Sequence, residues 1–199
     1  MTNTEKYEVF AVRYATRPAM RRDHFVGGDP HDDQMPMDYF VWLIRNDHRT
    51  YVVDTGFHAD MAKKRQREYV RSPREGLALL GVDSHEVTDV ILTHLHYDHV
   101  GTFDDFPKAQ FHLQDAEMSF ATGRHMCNGH YYEHMRSNRF FTLVFKLGDM
   151  LNGYRTLHEL AASPDHVVPG HDPLVMQYYP APSPELDGIV VRLDVAPKT

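Results

Sequence analysis

The sequence V-I-L-T-H-L-H-Y-D-H-V-G, residues 90–101, joins a short apolar run to a cluster of polar side chains. The apolar run predicts a buried strand. The cluster places His94, His96, Asp98 and His99 within six residues. Imidazole and carboxylate groups are ligands that zinc and similar divalent ions prefer. Because neighbouring residues of a turning segment point in different directions, His94 and His96 can face one ion while Asp98 and His99 face a second.

A metal site is favoured over a chance grouping of histidines, although the chain contains 15 of them among 199 residues. A stray pair would mean little in such a sequence, but three histidines and an aspartate directly after an apolar strand are much harder to obtain by accident. Gly101 closes the cluster and predicts that the chain turns sharply away from it.

Composition indicates an ordinary globular protein with one domain over residues 1–199. Hydrophobic residues make up 42% and charged residues 25%, and the formal net charge is −7. That charge disfavours nucleic acid and anionic membranes as partners. Cys127 is the only cysteine, so no internal disulfide is expected. The sequence starts without an apolar leader and has no apolar run long enough to span a bilayer, which favours a cytoplasmic protein.

Several segments show the patterns of regular structure. Strands are predicted over Tyr7–Ala15, over a hairpin of Tyr39–Ile44 and Thr50–Val53, and over Thr88–Thr93, Gln110–Leu113, His166–Val168 and Gly188–Val195. Helices are predicted over His58–Arg71, over a segment that Ser72 caps with Pro73 and Glu75 in its first turn, near Asp115–Ala121, and at the apolar spacing of residues 147–161. Strands with helices between them predict a layered α/β fold.

Two residues outside the cluster are candidates for the same site. Asp54 ends the second strand of the predicted hairpin, where it can close a turn or hydrogen-bond a metal-binding histidine and set its tautomer. His171 follows a short apolar segment and Gly170, which repeats the arrangement of the first cluster. Alone it is weak evidence, but beside the first cluster it is a candidate for a further metal ligand.

The motif of Thr93–His99 with Gly101 resembles that of the metallo-β-lactamase superfamily. Val53–Gly56 and Gly170–Asp172 fall where that superfamily has its supporting aspartate and its last metal ligand. Within the superfamily the chain most resembles the N-acyl homoserine lactonases. The segments that carry this finer resemblance are Met37–Ile44, Phe111–Gln114, Glu117–Met118 and Pro169–Asp172.

The resemblance implies an αββα sandwich with two zinc ions at the ends of the strands. By it, His94 and His96 bind one ion, Asp98, His99 and His171 bind the other, and Asp54 supports them from behind. It also implies that a metal-bound hydroxide opens the lactone ring of N-acyl homoserine lactones, the quorum-quenching reaction. Asp98 would protonate the ring oxygen as it leaves.

The sequence departs from this family in its second half. Two further metal ligands of the family, a histidine and a bridging aspartate, are not recognisable, which indicates an internal deletion near residues 125–130. Only one weak strand, Phe140–Lys146, is predicted between Leu113 and His166. The first site keeps two histidines, whereas the second keeps the three protein ligands typical of a catalytic zinc, so one ion is physically possible. A second would need a replacement ligand, for which the candidates are His125, Cys127, His130, His134 and Asp149.

Three functions remain open on the residues alone. The first is a zinc-dependent hydrolase that opens acylated homoserine lactones. The second is a hydrolase of the same superfamily that acts on thioesters or on other lactones. The third is an internally deleted, inactive relative that binds a metal without catalysis. A small-molecule lactone is the partner that the first reading expects, and the residues do not indicate an oligomeric state.

Overall fold

The computed structural model of this chain describes residues 5–25, 28–123 and 152–198. Seven strands occur in this part of the chain: β1 Glu8–Arg17, β2 Met37–Arg45, β3 Thr50–Val53, β4 Glu68–Tyr69, β5 Asp89–Leu92, β6 Gln110–Leu113 and β7 Val190–Arg192. Six α-helices accompany them: α1 Ala59–Arg65, α2 Pro73–Ala78, α3 Tyr97–Val100, α4 Asp115–Thr122, α5 over residues 152–160, and α6 Val175–Tyr178. Short 3-10 helices lie at Arg21–Asp23, Ser84–Glu86, Phe103–Asp105, Pro164–His166 and Pro184–Leu186.

The strands form one mixed sheet in the order β4-β1-β2-β3-β5-β6, with β7 pairing on the same side of β1 as β4. Strands β1, β2 and β3 are antiparallel neighbours, and β3, β5 and β6 run parallel to one another. The carboxyl ends of the three parallel strands therefore meet at one edge of the sheet, where α/β proteins commonly place their ligands. This arrangement confirms the predicted α/β class and supplies one sheet of the expected sandwich.

Both faces of the sheet are covered by a hydrophobic core. Successive side chains of a strand point to opposite sides, so neighbouring residues belong to different cores. On β1, Phe10 and Val12 enter a large core with Phe57 and Leu77. Ala11, between them, belongs to a second core on the other face. That second core comprises Ala11, Phe40, Val175, Met176, Tyr179 and Val191. The carboxyl-terminal segment thus closes the face of the sheet that the helices of the first half leave open.

Most of the strands and helices predicted from sequence are present with similar bounds. The hairpin of β2 and β3 pairs Trp42 with Val53 and Arg45 with Thr50. Helix α2 has the predicted capping box, since Ser72 Oγ accepts from the Glu75 N–H at 3.1 Å and a Glu75 carboxylate oxygen accepts from the Ser72 N–H at 2.8 Å. Each bond satisfies a backbone N–H that the helix geometry leaves without a partner.

The helix predicted over His58–Arg71 is wrong in its second half. It ends at Arg65, because Gln66 adopts a left-handed conformation with φ 56°. The chain then forms β4, which pairs with the end of β1 through Ala15 and Thr16. Glu68 and Tyr69 therefore join the sheet, although the local charge pattern predicts a helix for them.

The strand predicted over His166–Val168 is also wrong. Residues Pro164–His166 form a 3-10 helix, and Val168 packs against the second core instead of joining the sheet. Short apolar segments are ambiguous between these outcomes, because burial alone accounts for their composition. Of the helix predicted at residues 147–161, residues 152–160 are helical, and residues 147–151 lie outside the described chain. The weak strand Phe140–Lys146 also lies outside it.

Candidate metal centre

The site lies at the edge where β3 and β5 end. Strand β3 delivers Asp54 and β5 delivers Thr93, and the next residues lead into α3, for which His96 is the N-cap. Asp54 is fully buried and has a left-handed backbone with φ 61°. Its N–H donates to the Ile91 carbonyl at 2.8 Å, so the turn after β3 is tied directly to β5. The sequence motif and the supporting aspartate are thus brought together by the parallel pairing of their strands.

Asp54 both closes the turn and hydrogen-bonds a histidine of the cluster, so the two roles considered for it coexist. Its Oδ2 lies 2.6 Å from Nδ1 of His99, and its Oδ1 accepts from the Thr93 N–H at 2.8 Å. The Thr93 hydroxyl donates to the same carboxylate. Burial of His99 lowers its pKa, but the hydrogen bond to Asp54 and the charge of Asp98 outweigh burial and raise the pKa overall. The bond directs Nε2 of His99 away from Asp54.

His171 reaches the site from the loop before α6. Its Nδ1 donates to the Asp38 carbonyl at 3.0 Å, and the Asp38 N–H donates to the His171 carbonyl at 3.0 Å. These two bonds attach the loop to the start of β2. The Tyr39 ring packs edge-on against the imidazole, with centroids 5.3 Å apart. Burial is the main reason that the pKa of His171 is lowered, so the neutral form is favoured.

Asp98, His99 and His171 converge on one point. The Nε2 atom of His99 lies 3.6 Å from Oδ2 of Asp98, and Nε2 of His171 lies 3.7 Å from the same oxygen. The three ligand atoms all lie within 4.8 Å of one another. Two ligands at zinc distances and a tetrahedral angle are about 3.4 Å apart, so the observed spacing suits one shared ion with small adjustments. Because both Nδ1 atoms are engaged behind the rings, both Nε2 atoms are available as ligands.

His94 and His96 lie beside this three-residue group. The His94 ring centroid is 3.9 Å from that of His99 and 4.4 Å from that of His96. Burial, followed by the neighbouring His99 and His96, lowers the pKa of His94 to about 4. At neutral pH its imidazole is therefore uncharged and able to bind a metal ion. Their assignment as ligands of a separate ion remains a prediction.

A β-bulge and a glycine hold α3 in place. Strand β1 has one extra residue, Tyr14, between the pairs that Arg13 and Ala15 make with β2. The buried Tyr14 hydroxyl donates to the Asp98 carbonyl at 2.9 Å. A Cβ on Gly101 would lie only 2.6 Å from the Tyr97 carbonyl oxygen.

Gly101 therefore serves close packing, and it lies in a turn at the end of α3, as predicted. Its φ of −73° is ordinary helical backbone. The Gly101 N–H donates to the Gly56 carbonyl at 2.7 Å, which draws the end of α3 against the turn after β3. Only a residue without a side chain fits between these backbones.

Sequence reasoning missed the supporting roles of Tyr14, Asp38 and Thr93. Asp38 carries the one available signal, a carboxylate at the start of an otherwise apolar strand, and it is buried against Arg13 at 3.2 Å.

The presumed deletion near residues 125–130 and the replacement ligands His125, Cys127, His130, His134 and Asp149 lie outside the described residues. In the described part of the chain, no helix is long and apolar enough to cross a membrane.

A protein-family model matches the part of the chain that contains this site. The family model of the metallo-beta-lactamase superfamily matches residues 36–181, which include the whole cluster and His171. No curated protein matches the sequence.

Several solved structures have a similar backbone at low sequence identity. A quorum-quenching N-acyl homoserine lactone lactonase is 16% identical with a TM-score of 0.48, over 59% of this chain and 49% of the other. A probable metal-dependent hydrolase from Staphylococcus aureus is 14% identical with a TM-score of 0.48, over 57% and 49%. The dizinc quorum-quenching lactonase AidC is 20% identical with a TM-score of 0.44, over 58% and 44%.

The matched region spans about half the length of those solved proteins. Similarity at this level does not indicate a substrate. The assignment to a family rests on the family model, which covers more than half of the sequence. The matched residues include those whose side chains meet at the ends of β3 and β5. This chain belongs to the metallo-β-lactamase superfamily.

Proposed function

We propose that this chain is a metal-dependent hydrolase that opens the lactone ring of N-acyl homoserine lactones. The observation that carries the proposal is the convergence of Asp98, His99 and His171, with Nε2 of each histidine facing one carboxylate oxygen. The choice of lactone follows from the sequence resemblance at Met37–Ile44 and Pro169–Asp172. Superfamily membership supports hydrolysis of an ester-like bond and leaves the substrate to be tested.

The donor set fits a divalent ion such as zinc. Two imidazoles and one carboxylate are the usual count for a catalytic zinc, with a further position open to water or substrate. When bound, such an ion would polarise the substrate carbonyl and lower the pKa of a water molecule. His94 and His96 are the ligands that we propose for a second ion.

The residues of the chain have separate tasks in this reaction. Asp54 holds His99 in the tautomer that presents Nε2, and the Asp38 carbonyl does the same for His171. Asp98 is the only carboxylate of the three-residue group, so we assign it the proton transfer to the alcohol oxygen as the ring opens. The Tyr14 hydroxyl holds the Asp98 backbone and so fixes the point from which this carboxylate acts.

The first experiment is metal analysis together with a hydrolysis assay. Protein purified without chelator is checked by intact mass, its bound metals are counted per chain, and it is supplied with acyl homoserine lactones, other lactones and thioesters. We expect at least one bound ion per chain and turnover of the acyl lactones that disappears with Asp98→Asn and on chelation. Turnover of thioesters alone would replace the proposed substrate, and absence of bound metal would overturn the proposal.

A further inference from the structure

Arg65 and Arg67 contact two aromatic rings beside the candidate metal centre. The Arg65 Cζ atom lies 3.8 Å from the centroid of the Tyr97 ring. Arg67 Nε donates to the Tyr97 hydroxyl at 3.4 Å, and its Cζ atom lies 6.0 Å from the Tyr39 centroid. Arg17 is the third member, at the end of β1. We call Arg17, Arg65 and Arg67 the arginine cluster.

The register of the sheet places Arg17 next to Arg67. Strands β1 and β4 are antiparallel, with Ala15 opposite Tyr69 and Thr16 opposite Glu68. Arg17 and Arg67 are the next residues along the two segments beyond the paired residues Thr16 and Glu68, so their backbones lie near each other.

The electrostatics of Tyr39 agree with this placement. Burial raises the pKa of Tyr39, and the charges of both Arg67 and Arg17 act against burial. Of these two arginines, Arg67 has its Cζ atom 6.0 Å from the centroid of the same ring. The chain carries a net charge of −7, so this grouping is a local positive site on an acidic protein.

The arginines of the cluster have no carboxylate partner in the described part of the chain, a property they share with Arg49, Arg71, Arg74 and Arg155. Five other described arginines pair with a carboxylate within 4.0 Å, namely Arg13, Arg21, Arg22, Arg45 and Arg192. Among residues 5–25, 28–123 and 152–198, no carboxylate makes such a pair with Arg17, Arg65 or Arg67. The Nε atoms of Arg17 and Arg65 are buried without a hydrogen-bond partner, as are those of Arg13 and Arg71 outside the cluster. Burying the unsatisfied donors of a charged group costs free energy, so binding of an anion there would stabilise the folded chain.

The cluster adjoins the proposed reaction site through the same two rings. Tyr97 immediately precedes Asp98 in α3, and Tyr39 packs against His171. Phe57 lies between the rings, with its centroid 5.5 Å from that of Tyr97 and 5.3 Å from that of Tyr39. The cluster and the candidate metal centre are therefore connected by these packed aromatic rings.

We propose that the arginine cluster is a binding site for an oxyanion, a carboxylate or phosphate group. The planar guanidinium group matches both oxyanions with paired hydrogen bonds. Binding of this oxyanion does not rest on the proposed function, whose lactone substrate is neutral.

The test is calorimetric titration of the full chain with inorganic phosphate and, separately, with succinate. Each titration is done on protein as purified and again after chelation, because a bound metal would itself attract oxyanions. We expect saturable binding of at least one probe in both states, and the tighter probe identifies the oxyanion. Arg67→Gln is expected to weaken binding about tenfold or more. Arg74→Gln, at an exposed arginine of α2, is the matched control and should leave binding unchanged.

Three results would overturn the proposal: no saturable binding of either probe, binding that vanishes on chelation, or equal weakening by Arg67→Gln and Arg74→Gln. Circular dichroism checks that Arg67→Gln is folded, and Arg17→Gln provides the same test if it is not. None of these measurements requires turnover, so the oxyanion proposal and the proposed hydrolase function can each fail without the other. Oxyanion binding without hydrolysis would remove only the proposed function, and hydrolysis of neutral lactones without oxyanion binding would remove only the cluster.

Discussion

The Nδ1 atom of His99 lies 2.6 Å from Oδ2 of the fully buried Asp54, and this contact decides which ring nitrogen of His99 faces Asp98. Asp54 follows β3, and His99 lies in α3, which comes after the parallel strand β5. The pairing of the strands therefore sets the tautomer of His99, because a hydrogen bond at one ring nitrogen decides which nitrogen is available to a metal ion.

Asp54→Asn is expected to weaken zinc binding about 10–100-fold. The amide lacks the negative charge that stabilises the tautomer of His99 with a proton on Nδ1. Affinity is measured by competition with a chromophoric chelator. Asp47→Asn, at an exposed position of the β2–β3 turn, serves as the control and should bind zinc like the parent. Equal affinity of both variants would show that the contact has no influence on the metal.

The proposed ligand sets predict different effects of two histidine substitutions on the metal content. His171→Gln should abolish tight binding at the Asp98–His99–His171 group, because two remaining ligands are too few. His96→Gln should leave one tightly bound ion per chain, since His96 does not belong to that group. Both are measured by metal analysis after gel filtration in buffer without metal. A variant lacking His96 that loses all metal, while the His171 variant retains it, would reverse the assignment.

Gly101→Ala is expected to lower the free energy of unfolding by about 1–3 kcal/mol, the usual cost of overpacking. The added methyl group would meet the Tyr97 and Gly56 carbonyl oxygens at 2.6 and 2.7 Å, and backbone atoms cannot move aside independently. The measurement is chemical denaturation of the metal-free protein.

Gly153→Ala is the matched control for that experiment. Gly153 lies in α5 with open space around its Cβ position. Alanine should raise the free energy of unfolding by about 0.5–1 kcal/mol, because it restricts the unfolded chain and suits a helix. Similar destabilisation by both substitutions would argue against the close packing at Gly101.

Ser72→Ala should lower the free energy of unfolding by about 1 kcal/mol through loss of the cap of α2. The substitution removes the hydroxyl that accepts from the Glu75 N–H. Ser119→Ala, at an exposed position within α4, removes a hydroxyl without a capping role and should not destabilise the chain. Equal loss in the two variants would mean that the capping box adds nothing.

Local sequence was sufficient for the parts of the fold that depend on neighbouring residues. The apolar run at residues 90–92, the capping box at Ser72 and the β2–β3 hairpin were all predicted, because strand periodicity, caps and turns each act over a few residues. The helix over His58–Arg71 failed at Gln66, where pairing with β1 outweighed the local charge pattern.

The sequence by itself determined that histidines and an aspartate follow a buried strand, and therefore that this chain has the composition of a metal site. The resemblance had already grouped His171 with Asp98 and His99, but only the tertiary structure decided that Asp38 and Tyr14 support them and that Arg65 and Arg67 lie beside Tyr39 and Tyr97. The physical reason is that such contacts depend on strand register, on the bulge at Tyr14 and on loop attachment. These properties join residues far apart in the chain and leave no periodic pattern in it.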